Sequence, residues 1–409
     1  MTNTTRLSSS LRTRTAEESI QIATSLAASR GVSRVVDTTW LDRIGIPVYA
    51  SIRPDGVVGS LCVHAGKGYT NAEAKIGAFM EAMEFSFATP GRNIADWKLT
   101  KPINIIASFK GRIKFPDFCP RMGAAQISPS DDIAAVEGTE ILSGLGKVLV
   151  PAELVYHPFL DTPGIRLYGT TTNGLASGNT LAEAVVHGLA EVMERHVRSF
   201  DTLRDQSYLV DIDDAPPRLK EMAKRIHRAG LQCYVRYSEN EFNLPLFSAY
   251  ILEPDEHCSI SMAAGFGFHP IGEVAAIRAL AEAAQSRLSH IHGGRDDIIR
   301  RFDLINSLGR EQELEYIRRA RRLITDRKKR SNFTAVPTML VTTIEQAREC
   351  MFDALGRAGM NHVVQVPLTS DEYPFQVVKI IVPEAEVYEH ELQRVGNRLI
   401  NRTLELPHA

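Results

Sequence analysis

"GNTLAEAVVHGLAEVMERH", residues Gly178 to His196, is the stretch on which the reading of this chain turns. At about 100° per residue, Asn179, Glu183, His187, Glu191 and Glu194 fall within one narrow stripe of a helix. Leu181, Ala184, Val185, Gly188, Leu189 and Val192 make the opposite, apolar face. The plain alternative is a solvated surface laced by Glu191–Arg195 and Glu194–Arg198 pairs at i,i+4. The stripe alone does not choose between wet surface and acid-lined site.

Two further segments bear on the choice. In "TNAEAKIGAFMEAMEFSFA" (70–88), Thr70 and Glu73 form a capping box that fixes the helix start. From Ala74 to Ala88 the only charges are Lys75, Glu81 and Glu84, and the helix is apolar nearly all round, which predicts burial. A buried, unpartnered carboxylate costs several kcal/mol, so a cation, an arginine or a proton must answer for these glutamates. In "GEVAAIRALAEAAQSRL" (272–288), Arg278, Glu282 and Gln285 share one face. Alone, that trio is explained by an ion pair and an amide. Taken together, the three helices offer carboxylate oxygens without paired Cys or His ligands, a donor set that suits Mg²⁺ bridging to substrate phosphates.

The usual phosphate cradle is missing. No GxxxxGK[ST] occurs, "GLGKV" ends in valine, and "GFGFHP" lacks the last glycine of a dinucleotide fingerprint. A bound nucleotide would have to be held by acids and magnesium.

Composition sets the outer bounds. The chain has 409 residues, 44% hydrophobic and 23% charged, with a net charge of −2, which predicts no general attraction to nucleic acid or anionic membrane. No apolar run approaches the roughly 18–20 residues that span a bilayer. Cys62, Cys119, Cys233, Cys258 and Cys350 are scattered and never paired as CxxC, as expected of reduced thiols in a cytoplasmic protein. The first 15 residues, rich in Ser, Thr and Arg, faintly resemble a transit peptide but lack a secretory apolar core. They read as a disordered lead-in to a helix at 16–30.

Strands and helices alternate, yet strands also come in hairpin-like pairs. Examples are "QCYVRYS" with "LPLFSAYILEP", and "HVVQVPL" with "FQVVKIIVPE". This favours an α+β fold of mixed or antiparallel sheets over a doubly wound one. A strand, a glycine-containing loop and a long acid-bearing helix recur at 59–88, 165–200 and 258–290, hinting at one composite site. The expected division is a lead-in and helix (1–34), a catalytic domain (35–383) and a tail (384–409). The basic run 318–330 reads as a solvated helix end, with an acidic leader peptide or RNA as the alternative ligand.

"LDRIGIPV", "GKGYTNAEAKIGAFMEAME", "NGLASGNTLAEAVVHGLAEVMER" and "AAIRALAEAAQSR…HGGRDD" resemble, in this order, the YcaO family, over roughly residues 35–300. The resemblance implies an α+β domain whose long helices form a composite ATP site without a P-loop. It implies phosphorylation of a peptide backbone amide oxygen, addition of a nucleophile at that carbon, and loss of phosphate. Carried over by position, Glu81, Glu84, Glu183, Glu191 and Glu194 match the magnesium-holding glutamates. Asn179, Arg195, Arg278, Glu282 and the neighbouring Gln285 match nucleotide and phosphate contacts, with Arg195 and Arg278 at the transferring phosphoryl group. Arg12 and Ser19 stand where the family's first helix offers a basic residue and a hydroxyl. One departure is Gly77, where the family usually has serine.

Azoline-forming members end in a proline-rich tail, whereas this chain ends "NRTLELPHA". That tilts the expectation from a cyclodehydratase toward a stand-alone thioamide synthetase working with a TfuA-like or leader-binding partner on a ribosomally made precursor peptide. A homodimer stays open, and no nucleic acid or membrane is implied. The alternative is a non-catalytic ATP-binding accessory, for instance in ribosomal-protein modification. The complete acid set favours the enzyme.

Overall fold

The computed structural model describes residues 4–405 except 161–162, 296–297, 299–302, 304–306, 308 and 389–391. In chain order it opens with β1 (Thr5–Arg6), β2 (Leu11–Arg12), α1 (Ala16–Ala27), β3 (Arg34–Asp37), β4 (Val48–Ile52), β5 (Val63–Lys67) and α2 (Asn71–Ala88). Next come β6 (Trp97–Thr100), α3 (Pro102–Ser108), β7 (Ile133–Glu140), β8 (Gly146–Pro151), β9 (Leu175–Gly178) and α4 (Leu181–Leu203). Then follow β10 (Tyr208–Asp211), α5 (Pro217–Arg228), β11 (Gln232–Ser238), β12 (Leu246–Leu252), β13 (Met262–Phe268), α6 (Gly272–His292) and α7 (Arg310–Ile324). The chain closes with β14 (Arg330–Asn332), α8 (Ile344–Arg357), β15 (Val364–Pro367), β16 (Gln376–Ile381) and α9 (Asn397–Glu405).

Contacts divide the chain into two compact units, each discontinuous in sequence. The first comprises Met1–Gly56, Leu61–Met83 and Gln206–Thr342, the second Val57–Ser60, Glu84–Asp205 and Thr343–Ala409. The segment 35–383, expected as one catalytic domain, therefore contributes to both.

Besides the β1-β2 hairpin, the first unit holds the sheets β3-β4-β5 and β13-β12-β11-β10-β14, antiparallel throughout except for β10 beside β14. Helix α6 lies on β12 and β13. Its alanines and the strand's glycines let the backbones meet: a Cβ on Gly265 would lie 2.1 Å from Ala283 N. Leu219, Phe247, Ile251 and Leu280 are fully buried in the core around this contact. The "GFGF" glycines are thus packing residues, which is why no dinucleotide fingerprint follows them.

The second unit is built on the antiparallel order β6-β7-β15-β16-β9, with β8 on the other side of β7. Helix α4 packs on β9 and β16, and α8 packs on α4. Thr180 caps α4 by accepting the Glu183 N–H at 3.3 Å. Antiparallel pairing dominates both units, as the hairpin-like strand pairs predict. The fold is α+β.

One detail differs from the sequence reading. Residues 4–12 are not a structureless lead-in, because Thr5–Arg6 pairs with Leu11–Arg12 as a small hairpin. The buried Ser8 donates its N–H to Glu73 at 2.8 Å, and Arg6 pairs with Glu273 at 3.1 Å. Charge and hydroxyl contacts to distant helices supply the order that composition alone does not. The basic run ends a helix and stays largely solvated, as expected, with Arg318 and Arg330 about half exposed while pairing with Glu256 at 2.7 Å and Asp211 at 3.2 Å.

The five cysteines are free thiols. Burial pushes the Cys233 thiol up to about 12. Among the described residues, no helix is long and apolar enough to cross a membrane.

Candidate active site

Each of the three acid-bearing helices follows a strand at the end of its sheet: β5 leads to α2, β9 to α4 and β13 to α6. Glycine contacts put the three pairs in one register. A Cβ on Gly66 would meet Ala74 O at 2.1 Å, and one on Gly267 would meet Ala275 O at 2.1 Å. A Cβ on Gly68 would fall 2.6 Å from Glu73 Cβ, and one on Gly178 2.5 Å from Glu183 Cβ. Counting on from these anchors, Glu81, Glu191 and Glu282 occupy one position, and Glu84, Glu194 and Gln285 the position three residues later. Glu73 matches Glu183, each accepting a backbone N–H just before its helix.

In the first unit the ladder meets open strand edges. Glu81 accepts the Ala65 N–H at 3.0 Å, and its other oxygen lies 3.9 Å from Arg295. Glu282 accepts the Phe266 N–H at 3.2 Å and pairs with Lys67 at 2.5 Å. The Gln285 amide donates to Ala65 O. Edge strands carry unpaired backbone groups, and these carboxylates and the amide satisfy them.

The charges of Arg278, Arg6 and Arg12 act on the buried His269. Desolvation, together with these guanidinium charges, pushes His269 down to about 3. Its Nδ1 accepts the Ile271 N–H at 3.0 Å, which assigns the ring proton to Nε2. Arg278, expected at the phosphates, and Arg12, expected at the nucleotide, thus both act on the same buried ring. Arg12 also donates to the Ser10 hydroxyl at 3.2 Å, while Ser19 donates to Thr15 O at 2.9 Å within its own helix.

In the second unit the Ser177 hydroxyl donates to Glu84 at 2.5 Å. Asn179 gives Glu183 its backbone N–H at 2.8 Å and its side-chain amide at 3.1 Å. Glu191 pairs with Arg195 at 3.3 Å and Glu194 with Arg198 at 3.7 Å. The i,i+4 pairs of the plain surface reading do form, then. Glu194, only 12% exposed at its side chain, is too sheltered for simple surface decoration.

Among the described residues, no three His, Cys, Asp or Glu side chains converge on a ready metal position. Mg²⁺ usually takes one or two carboxylates and completes its octahedron with water and phosphate oxygens. The partly exposed Glu81, Glu84, Glu191 and Glu194, together with the buried Glu183, are donors of that kind.

Gly77 has a packing reason of its own. A Cβ there would stand 3.3 Å from Gly66 Cα, tighter than most such contacts. Sequence reasoning missed Lys67, Ser177, Arg295 and His269, because each acquires its role only through strand placement.

Residues 65–386 match the model of a family described as YcaO cyclodehydratases that bind ATP and Mg²⁺. An uncharacterized protein of Methanothermobacter thermautotrophicus is 32% identical over 90% of this chain and 93% of its own length. An uncharacterized protein from the tfuA 3′ region of Rhizobium leguminosarum bv. trifolii is 32% identical over 91% of this chain and 88% of its own. Among solved structures, the YcaO of Methanopyrus kandleri bound with AMPPCP and Mg²⁺ shares the fold. Its TM-score is 0.75 at 23% identity, covering 97% of this chain and 98% of that one. The chain belongs to the YcaO family. With that membership come the family's ligands, ATP and Mg²⁺, and the general activity of an ATP-dependent amide-activating enzyme.

Proposed function

We propose that this protein uses Mg·ATP to phosphorylate a peptide backbone amide oxygen in a ribosomally made peptide, so that a nucleophile adds at the carbonyl carbon and phosphate leaves. The observation that carries the reading is the shared register of the three strand–helix pairs. It repeats one acid at Glu81, Glu191 and Glu282, and a second polar position at Glu84, Glu194 and Gln285.

Bound Mg·ATP supplies the phosphoryl group, and the protein supplies placement and charge. By the family's pattern, Glu81, Glu84, Glu183, Glu191 and Glu194 would hold the magnesium. Asn179, Arg12, Ser19, Glu282 and Gln285 orient the nucleotide. Lys67 orients Glu282, and Ser177 orients Glu84. Arg195 and Arg278 face the phosphoryl oxygens, where a planar fork of donors matches the geometry of the developing charge. An amide is a poor electrophile, and making its oxygen a phosphate ester creates a leaving group. Catalysis of such a transfer is mostly positioning and electrostatics.

The relative from the tfuA 3′ region supports a TfuA-like partner. On this proposal the enzyme works in the cytoplasm and takes sulfide as the nucleophile, giving a thioamide. Calorimetry with Mg·ATP tests the site. Glu81→Gln and Glu194→Gln are expected to lose binding while keeping the wild-type circular dichroism. Wild-type affinity in both variants would remove the glutamates from the site.

A further inference from the structure

The register that aligns the acids also aligns the residue one turn before the first of them. That residue is Gly77 in α2, Arg278 in α6 and His187 in α4. Independent contacts fix the alignment. A Cβ on Gly66 would lie 2.7 Å from the Gly77 carbonyl carbon, and a Cβ on Gly267 would lie 2.8 Å from Arg278 Cβ. In α4 the residue after His187, Gly188, would place its Cβ 3.3 Å from Ala176, the strand residue that matches Gly66 and Gly267. His187 therefore has the same relation to its strand as Arg278 has to β13.

Its surroundings agree with a working side chain. Val186 and Gly188 on either side are buried, while His187 keeps partial exposure. Glu183 lies one turn before it and Glu191 one turn after, so the imidazole stands in the middle of the stripe that carries the magnesium carboxylates. Imidazole donates an N–H whether neutral or charged, so it can contact a phosphate oxygen without adding a fixed charge.

We propose that His187 is a phosphate-facing residue of the Mg·ATP site, its imidazole N–H donating to a phosphate oxygen as the guanidinium of Arg278 does from the matching position. The assignment rests on the proposed role of Arg278 and of the carboxylate ladder.

Peptide-resolved labelling with diethyl pyrocarbonate, on the full-length wild-type protein with and without Mg·AMPPCP, reads His187 without any turnover. The nucleotide is expected to slow carbethoxylation of His187 selectively. In parallel calorimetry, His187→Ala should weaken Mg·ATP by roughly tenfold or more, the loss expected for a hydrogen bond to a charged group. His187→Gln, which keeps a side-chain N–H donor, should recover most of that loss. If the wild type binds Mg·AMPPCP while His187 is labelled at an unchanged rate, the assignment is overturned and the proposed function stands. Wild-type affinity in His187→Ala has the same meaning. Absence of any Mg·nucleotide binding by the wild type would overturn both. Should His187→Ala fail to fold, the labelling experiment still decides.

Discussion

Arg195 and Arg278 illustrate how far one side chain can be read. In the sequence, Arg195 is either a phosphoryl contact or half of a surface pair with Glu191. The structure forms that pair at 3.3 Å with both side chains about a quarter exposed. Surface pairs contribute under roughly 1 kcal/mol. If pairing were the only role, Arg195→Lys would change peptide-dependent phosphate release by less than about twofold. A role at the transferring phosphoryl group predicts instead a loss of order 10²-fold in turnover for Arg195→Lys and for Arg278→Lys, with a smaller effect on ATP affinity. Steady-state phosphate release alongside calorimetry separates these outcomes. The nucleophile is read by mass spectrometry of a co-expressed precursor peptide. Thioamide formation adds about 16 Da, whereas azoline formation removes about 18 Da, an outcome that would reverse the choice of sulfide and leave amide activation intact.

At the scale of elements, the strand–helix pairs depend on residues small enough for backbones to touch. Gly267→Ala would press a methyl to within 2.1 Å of Ala275 O. The helix backbone has to move, so destabilisation of about 1–3 kcal/mol or more is expected in urea titrations, with loss of Mg·ATP binding as the ladder shifts. Gly356 is the contrast. It is exposed within α8 and a Cβ there meets nothing within 4 Å, so Gly356→Ala should raise stability by about 0.5–1 kcal/mol. The helices and the Thr70–Glu73 cap are legible in the sequence, because period and capping are local properties. The Lys67–Glu282 pair is not, with partners 215 residues apart whose meeting is decided by where β5 and α6 pack.

For the whole molecule, two buried histidines set a dependence on pH. Burial and the Arg53 and Arg295 charges push His64 down to about 3, and burial with Arg278, Arg6 and Arg12 does the same to His269. Unfolded, each titrates near its ordinary value of about 6.5. Between these values the unfolded chain binds more protons than the folded one, so stability rises with pH across this window and falls as pH drops from about 6.5 toward 3. Urea midpoints should therefore decrease between pH 7 and pH 5. His269→Gln should show a shallower decrease, even though replacing the imidazole whose Nδ1 accepts the Ile271 N–H lowers its stability throughout.

The sequence by itself determined the α+β class, the three long helices, their acids and the family. Hydrophobic period, capping residues and ordered motifs are all written in neighbouring positions. Tertiary structure decided what no local pattern carries. The hairpin at residues 4–12 holds because Ser8 and Arg6 reach Glu73 and Glu273. The glycines of "GFGF" serve packing because α6 lies against β13. The common register of β5–α2, β9–α4 and β13–α6 emerges only when strand and helix backbones are in contact, since each anchor is a close approach between residues on two different elements.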